Sequence, residues 1–442
     1  MTRSRRHSVV RSGRATGRRV PLCALDTTMG AVSTGRAFFF HERLDGTAMR
    51  ASLARVLRSY PLLSGRAERD AHGVLQVRCD DSGVPFEEED APPVAGVRTP
   101  AAGGQPPLRA VLPKASPVRL VGQGVPLLAV KLTHPASGGT VLGVHMKHVL
   151  ADGPAYTQFL LDWAAEHRGL PHAVPCHDRR LLDDLADGAP LGARDHNSRF
   201  TVASRREKYA LLSRMTLTAH KLGTATFRFD AAELRAMKQA ATDQLPHGWI
   251  STSDALTAHL WHALGRLRDR SPGCVERLGV LVDFSGYLHD LPANYWGNTV
   301  TCAELRMTAR DIRDCPLGTT ARLIRESLSQ NIADQARDDL AYLVEQRTTG
   351  RDRRVLPRML YRAYTDMLQV NDRAKLPFYT LDFGGGTPYR CELPPVPIPW
   401  AAQIMPTPER DGSREVHLSL PRAAADALRG ERFWQAQLHK YG

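Results

Sequence analysis

The segments LLAVKLTH (127–134) and TVLGVHMK (140–147) are short, mostly apolar and rich in β-branched residues, and only the turn residues PASGG separate them. Runs of this kind read as two paired strands buried in a sheet. The second run leads straight into HVLADG, His148 to Gly153. Pro154 and an amphipathic stretch to about 168 follow, with Phe159, Leu160 and Trp163 on its buried side. The chain must therefore pass from a buried strand to a helix within a few residues, and one histidine sits at the junction. Imidazole titrates near neutral pH, so His148 suits the task of taking a proton from an attacking hydroxyl or amine. Asp152 is read as orienting the turn. Gly153 and Pro154 are read as allowing a sharp turn and opening the helix. A histidine and an aspartate four apart also occur by chance, so this pattern alone does not decide the chemistry.

Strand and helix patterns alternate along the rest of the chain. Strands are expected at GRAFFFHERL, VLQVRC, TATFRFD, RLGVLVDF, FYTLDF, PIPWAAQIM and REVHLSL. Helices are expected at GTAMRASLARVLRSYPLL, at DAAELRAMKQAA with Asp230 as N-cap and Glu233 three on, and at STSDALTAHLWHALGRL. Longer helical patterns fill about 319–346 and 352–371, and a last helix begins near Pro421. The Pro- and Gly-rich stretch 91–126 reads as loop with weak strands, and 171–222 as a long surface crossover. Alternation in both halves points to α/β layers. The expected plan is a disordered basic tail over 1–19, one domain over 20–200, a linker over 201–222 and a second domain over 223–442.

A chain of 442 residues can build two domains with cores of their own. No apolar run approaches the length of a membrane span. The seven cysteines are scattered, odd in number and without a C-x-x-C pair. That pattern argues for reduced thiols in an intracellular, cytoplasmic protein and against a disulfide framework or zinc ribbon. The net charge is +13, but the first twenty residues hold seven arginines and no acid, which leaves +6 for the remainder. The tail reads as solvated. An Arg- and Ser-rich, acid-free start also fits an organelle transit peptide or a nucleic-acid arm. No basic-aromatic interleaving elsewhere supports nucleic acid as a partner. A mildly basic body suits an anionic ligand such as a phosphorylated cofactor.

Four further segments stand in order with HVLADG: VPLCALDTTMG (20–30), YPLLSGR (60–66), VDFSGYLHDLPANYWGNTV (282–300) and LDFGGGTP (381–388). With STSDALTAHLW (251–261) they resemble the BAHD family of plant-type acyl-CoA-dependent acyltransferases over nearly the whole chain after the tail. The resemblance implies an α/β fold of two chloramphenicol-acetyltransferase-like domains, each a mixed sheet with flanking helices, joined by a long crossover, with the catalytic histidine in a channel between them. It makes His148 the general base and Asp152 the structural aspartate of the HxxxD turn. Asp382, Phe383 and Gly384 match the family's DFG element, which is structural in most members. Ser251, Ser253 and Asn298 become candidate residues on the CoA side, although Asn298 read alone fits a structural cap or turn. The implied partners are acyl-CoA as co-substrate and a small-molecule acceptor, with no bound cofactor or metal and a monomeric chain.

Two departures stand out. Where the family often has an arginine two residues after the VD pair, able to hold the aspartate of the turn, this chain has Ser285. Either another arginine pairs with Asp152 or its hydrogen bonds are local. The tryptophan of the family's DFGWG is Gly385, leaving space that Tyr389 or Trp400 could fill. His145 and His148 lie three apart on a strand-like pattern, so their imidazoles should not converge on a metal. His259 and His262 are expected on the solvated side of their helix, Asp283 at a strand end or in a salt bridge, and Cys176 and Cys302 as inert thiols. GGGTP lacks the lysine of a phosphate loop. Two rival functions stay open. One is a condensation-type enzyme with a carrier-bound donor, disfavoured because Lys147 replaces the first of two histidines. The other is a non-catalytic binding protein of the same fold.

Overall fold

The two apolar runs pair as expected: Leu128–Pro135 lies antiparallel to Thr140–Lys147, with Val130 opposite Val144 and Leu132 opposite Leu142. In this computed structural model, residues 5–30, 32–91, 108–114, 119–122, 124–186, 198–329 and 332–442 are described. The loop expected over 91–126 falls largely outside them.

The chain divides into two units, and neither is continuous. One comprises Met1–Asp187, His289–Thr299 and Leu376–Pro394; the other Gly188–Leu288, Val300–Lys375 and Pro395–Gly442. Boundaries at 200 and 222 therefore give way to an exchange of segments: two pieces of the second half belong to the first unit. The expected linker is the helix Arg205–Ala219, capped by Ser204 and Glu207, within the second unit.

Each unit is built on a six-stranded sheet. In the first the order is Arg5–Val10, Val84–Ala91, Leu128–Pro135, Thr140–Lys147, Ser33–Phe40 and Arg390–Glu392, with one parallel pairing among antiparallel ones. In the second it is Leu222–Phe229, Arg414–Pro421, Ala401–Pro406, Met367–Asp372, Val275–Asp283 and Val300–Thr308, with two parallel pairings. Both sheets are mixed, and helices flank them, as the α/β reading requires.

Five expectations are corrected. The tail is ordered from Arg5: Arg5–Val10 pairs with Val84–Ala91, placing Arg5 opposite Glu89 and His7 opposite Glu87. Arg5 is 2.8 Å from Glu87, and the amides of Ser12 and Gly13 donate to the Asp81 carboxylate at 2.9 Å. The acid-free start finds its counter-charges some eighty residues later, in FEEED. The helical pattern over 352–371 holds only the short helix Arg358–Arg362 before Met367–Asp372 becomes an inner strand. FYTLDF holds a 3₁₀ turn at Phe378–Thr380 rather than a strand. His259 and His262 are buried: His259 Nε2 donates to Leu438 O (2.8 Å), and His262 Nε2 is hydrogen-bonded to Thr320 Oγ1 (2.9 Å). Their helix, Thr252–Arg268, packs against neighbouring helices on several sides, so it has no single polar face. Asp230 caps Ala231–Thr242, but Glu233 turns to His439 (3.0 Å) instead of closing a capping box.

In the second unit Asp339 is buried and accepts hydrogen bonds from Arg199 N (3.0 Å) and Thr301 Oγ1 (3.2 Å). Burial pushes its carboxyl up to about 6. A folded pKa above the unfolded value means that the native state holds the extra proton, so stability falls as pH rises from about 4 to about 6. Asp339→Asn removes that titration. Its melting temperature is expected to exceed the wild type's at pH 7 and to lose the advantage near pH 4. Parallel melting curves across that range would contradict the assignment.

Candidate active site

His148 leaves the end of the Thr140–Lys147 strand, its amide bonded to Val32 O at 2.8 Å. The turn closes through Leu150 N to Lys147 O (3.0 Å) and Ala151 N to His148 O (3.3 Å). Asp152 is the N-cap of the helix Gly153–His167: its Oδ1 accepts from Ala155 N at 3.0 Å. This is the preferred capping geometry of an aspartate, and its charge also suits the helix N-terminus. Gly153 and Pro154 occupy the first helical positions. Gly153 takes no left-handed conformation, so it opens the helix without making a sharp turn of its own.

The segment 294–299 closes over this turn, residue by residue. Trp296, fully buried, donates from Nε1 to Ala155 O at 2.7 Å and packs edge-to-face on Tyr60 and His177. A Cβ on Gly297 would collide with Arg179 Nη1 and crowd the Tyr295 ring, so only glycine fits there. Asn298 meets the imidazole: its Oδ1 lies 3.1 Å from His148 Nδ1. Thr299 donates from its amide (2.8 Å) and hydroxyl (3.2 Å) to Asp152 Oδ2. The expected support for Asp152 is thus met by N–H and O–H donors from this segment and from its own helix.

The Asn298 amide fixes the imidazole's tautomer. Its Nδ2 donates to Asp26 Oδ1 (2.7 Å) and to His148 O (3.0 Å), both of which can only accept. Oδ1 must therefore face the ring and accept, which puts the proton on Nδ1 and the lone pair on Nε2. Asp26, fully buried, is held in the capping box of Ala24–Thr28 and lies 3.7 Å from Arg179 Nη1. Arg179, equally buried, donates from Nη2 to Leu150 O at 2.8 Å, which brings it back to the HVLADG turn.

Asn298, proposed from sequence on the CoA side, is bonded to His148 instead. Asp26, Arg179 and Thr299 were missed. Asp26 and Thr299 lie inside quoted motifs, whereas Arg179 lies in a stretch read as crossover with no distinguishing signal. Ser251 caps the Thr252–Arg268 helix in the other unit, donating to Asp254 (2.8 Å) and accepting from Arg325 (2.8 Å); Ser253 is in its first turn. Asp382 accepts from Gly384 N (2.7 Å) and Gly386 N (3.1 Å), and Gly384 needs its φ of +90°. Phe383 packs between Phe40 and Trp163. A Cβ on Gly385 would come within 3.0 Å of Glu42 Cβ, so the lost tryptophan leaves no open space there; Tyr389 stacks on His41. His145 sits on the strand, where burial and then Lys147 push its pKa down to about 4. Asp283 accepts from Ser285 N at 2.9 Å in a local turn, and burial pushes the Cys302 thiol up to about 12. Among the described residues no cluster could hold a metal ion, and no helix is long and apolar enough to cross a membrane.

Gly297→Ala is expected to destabilise the protein by about 1–3 kcal/mol, the usual cost of overpacking a filled core. Urea unfolding measures it, and an unchanged midpoint with full activity would contradict the packing described.

The Transferase family model matches residues 1–431. The chain is 25% identical over 393 residues to shikimate O-hydroxycinnamoyltransferase of Nicotiana tabacum, covering 88% of this chain and 86% of that one. It is 29% identical over 411 residues to hydroxycinnamoyl-CoA:5-hydroxyanthranilate N-hydroxycinnamoyltransferase HHT1 of Avena sativa, covering 88% and 87%. Among solved structures, F. graminearum TRI101 complexed with coenzyme A and deoxynivalenol superposes with a TM-score of 0.79 at 19% identity, over 95% of this chain and 98% of that one. Vinorine synthase gives 0.71 at 19% identity, over 96% of each. With its HxxxDG turn, its YWGN clasp and this family match, the chain belongs to the Transferase family of BAHD-type acyltransferases.

Proposed function

We propose that this acyltransferase moves an acyl group from an acyl-CoA thioester to a hydroxyl or amine of a small-molecule acceptor, with His148 as general base. The observation that carries the reading is the 3.1 Å contact between His148 Nδ1 and Asn298 Oδ1, with the amide oriented by Asp26. Nε2 then takes the acceptor's proton as its oxygen or nitrogen attacks the thioester carbonyl. The new C–O or C–N bond forms and the carbonyl π pair moves onto oxygen. As the oxyanion collapses, the C–S bond breaks and the leaving thiolate takes the proton back from Nε2. The imidazole ends neutral, and no acyl-enzyme is required. Ser251 and Ser253 are the proposed CoA contacts. The relatives' names supply the first panel: a hydroxycinnamoyl-CoA donor with shikimate and 5-hydroxyanthranilate as O- and N-acceptors. Release of free thiol without any carrier protein separates this donor from a carrier-bound one.

His148→Ala is expected to lose transfer by about 10²–10⁴-fold with its melting temperature nearly unchanged. Equal thiol release by wild type and variant, with a working acceptor, would refute the mechanism. Asn298→Ala frees the ring to take the wrong tautomer and should lower kcat by about 10–100-fold, a fraction of the 10²–10⁴-fold that a positioned base contributes. A variant with full kcat would mean that the tautomer is fixed elsewhere.

A further inference from the structure

Arg36 is a buried cation that the mechanism above leaves without a task. It lies on the Ser33–Phe40 strand opposite Val144, on the sheet face covered by the Gly153–His167 helix, and is 2% exposed. Its Nη2 donates to Gly153 O at 3.0 Å and its Nη1 to Thr157 Oγ1 at 2.7 Å. Thr157 Oγ1 itself donates to the same Gly153 carbonyl at 2.7 Å. The guanidinium lies 4.0 Å from the Tyr156 ring centroid and 5.1 Å from that of Phe378. Nε has no hydrogen-bond partner among the described residues.

A cation under the first turn of a helix is opposed by the helix dipole, and burial costs it further. Something must offset that. The aromatic faces contribute. Asp152 is the carboxylate one residue before the Gly153 carbonyl that Arg36 holds at 3.0 Å. Asp152 is also buried, its oxygens taken up by Ala155 N, Thr299 N and Thr299 Oγ1. Arg36 thus holds the carbonyl of the residue that directly follows Asp152.

We infer that Arg36 is a positioning residue for His148: it fixes the first turn of the Gly153–His167 helix and balances the charge of Asp152. It thereby stands in for the arginine that the family often carries where this chain has Ser285. The positioning role rests on the reading of His148 as base; the charge pairing does not.

The test is a double-mutant cycle on the full chain, with Arg36→Met, Asp152→Asn and both together, read by urea unfolding and by thiol release from a hydroxycinnamoyl-CoA with the acceptor found in the panel. Arg36→Met is expected to lower kcat about tenfold or more while KM for both substrates stays within about threefold, the pattern of lost transition-state alignment. In the Asp152→Asn background the same change should cost less than about threefold, because coupled sites are not additive. Arg36→Lys keeps the charge and should recover part of the kcat that Arg36→Met loses. If Arg36→Met does not fold, the cycle is run with the neutral Arg36→Gln and Asp152→Asn. Additive losses in both readouts would overturn the inference, as would wild-type kcat in Arg36→Met. Coupling in unfolding alongside an active His148→Ala would sink the base assignment and leave the charge pair standing.

Discussion

The hydrogen bond between Asn298 and His148 joins residues 150 positions apart, and the site depends on it. The histidine arrives on a local strand-to-helix turn, yet nothing within that turn selects its tautomer. Selection comes from a segment of the second half of the chain that is counted in the first unit. Four consecutive residues divide the work. Trp296 holds the helix at Ala155, Gly297 makes room for Arg179, Asn298 orients the ring and Thr299 completes the shell of Asp152. Each hydrogen bond contributes about 1 kcal/mol on balance. Together they specify a geometry that no local sequence could hold.

Beneath the clasp lies a buried pair of opposite charges, Asp26 and Arg179. Burying such a pair adds little net stability, because desolvation offsets the attraction. Its value is positional. Asp26 receives the amide of Asn298, Arg179 donates to Leu150 O, and so the pair ties both sides of the turn to one point. Loss of either partner would leave an uncompensated charge in the core, so the arrangement resists small displacements of the imidazole.

The turn itself was legible in the sequence, since an apolar strand, a histidine, an N-capping aspartate and a Pro-opened helix each leave a local signature. So were the pairing of the two apolar strands before it and most helix starts. What escaped the reading depends on long-range partners. Arg5 looked like part of a solvated tail because Glu87 and Glu89 lie some eighty residues away. His259 and His262 looked solvated because one helix was read as having one buried face, whereas several helices cover it. MLQVND followed a helical pattern and was read as its continuation, although its place between two other strands makes it an inner strand. Asn298 suited a turn by residue type alone, and its contact with His148 appears only when residues 289–299 join the first unit.

The choice of asparagine at 298 follows from what lies behind it. An aspartate there would set a second carboxylate where the amide now donates to Asp26 at 2.7 Å, and two carboxylates that close cannot both stay ionised. The amide resolves the conflict. It presents a donor to the carboxylate and an acceptor to the imidazole, so orientation passes from Asp26 to His148 without a full charge against the ring. A carboxylate in direct contact would favour the imidazolium and hold the proton that, in the proposed mechanism, returns to the leaving thiolate. A neutral acceptor fixes the same tautomer and leaves the ring able both to take a proton and to release it, as the proposed mechanism asks of His148.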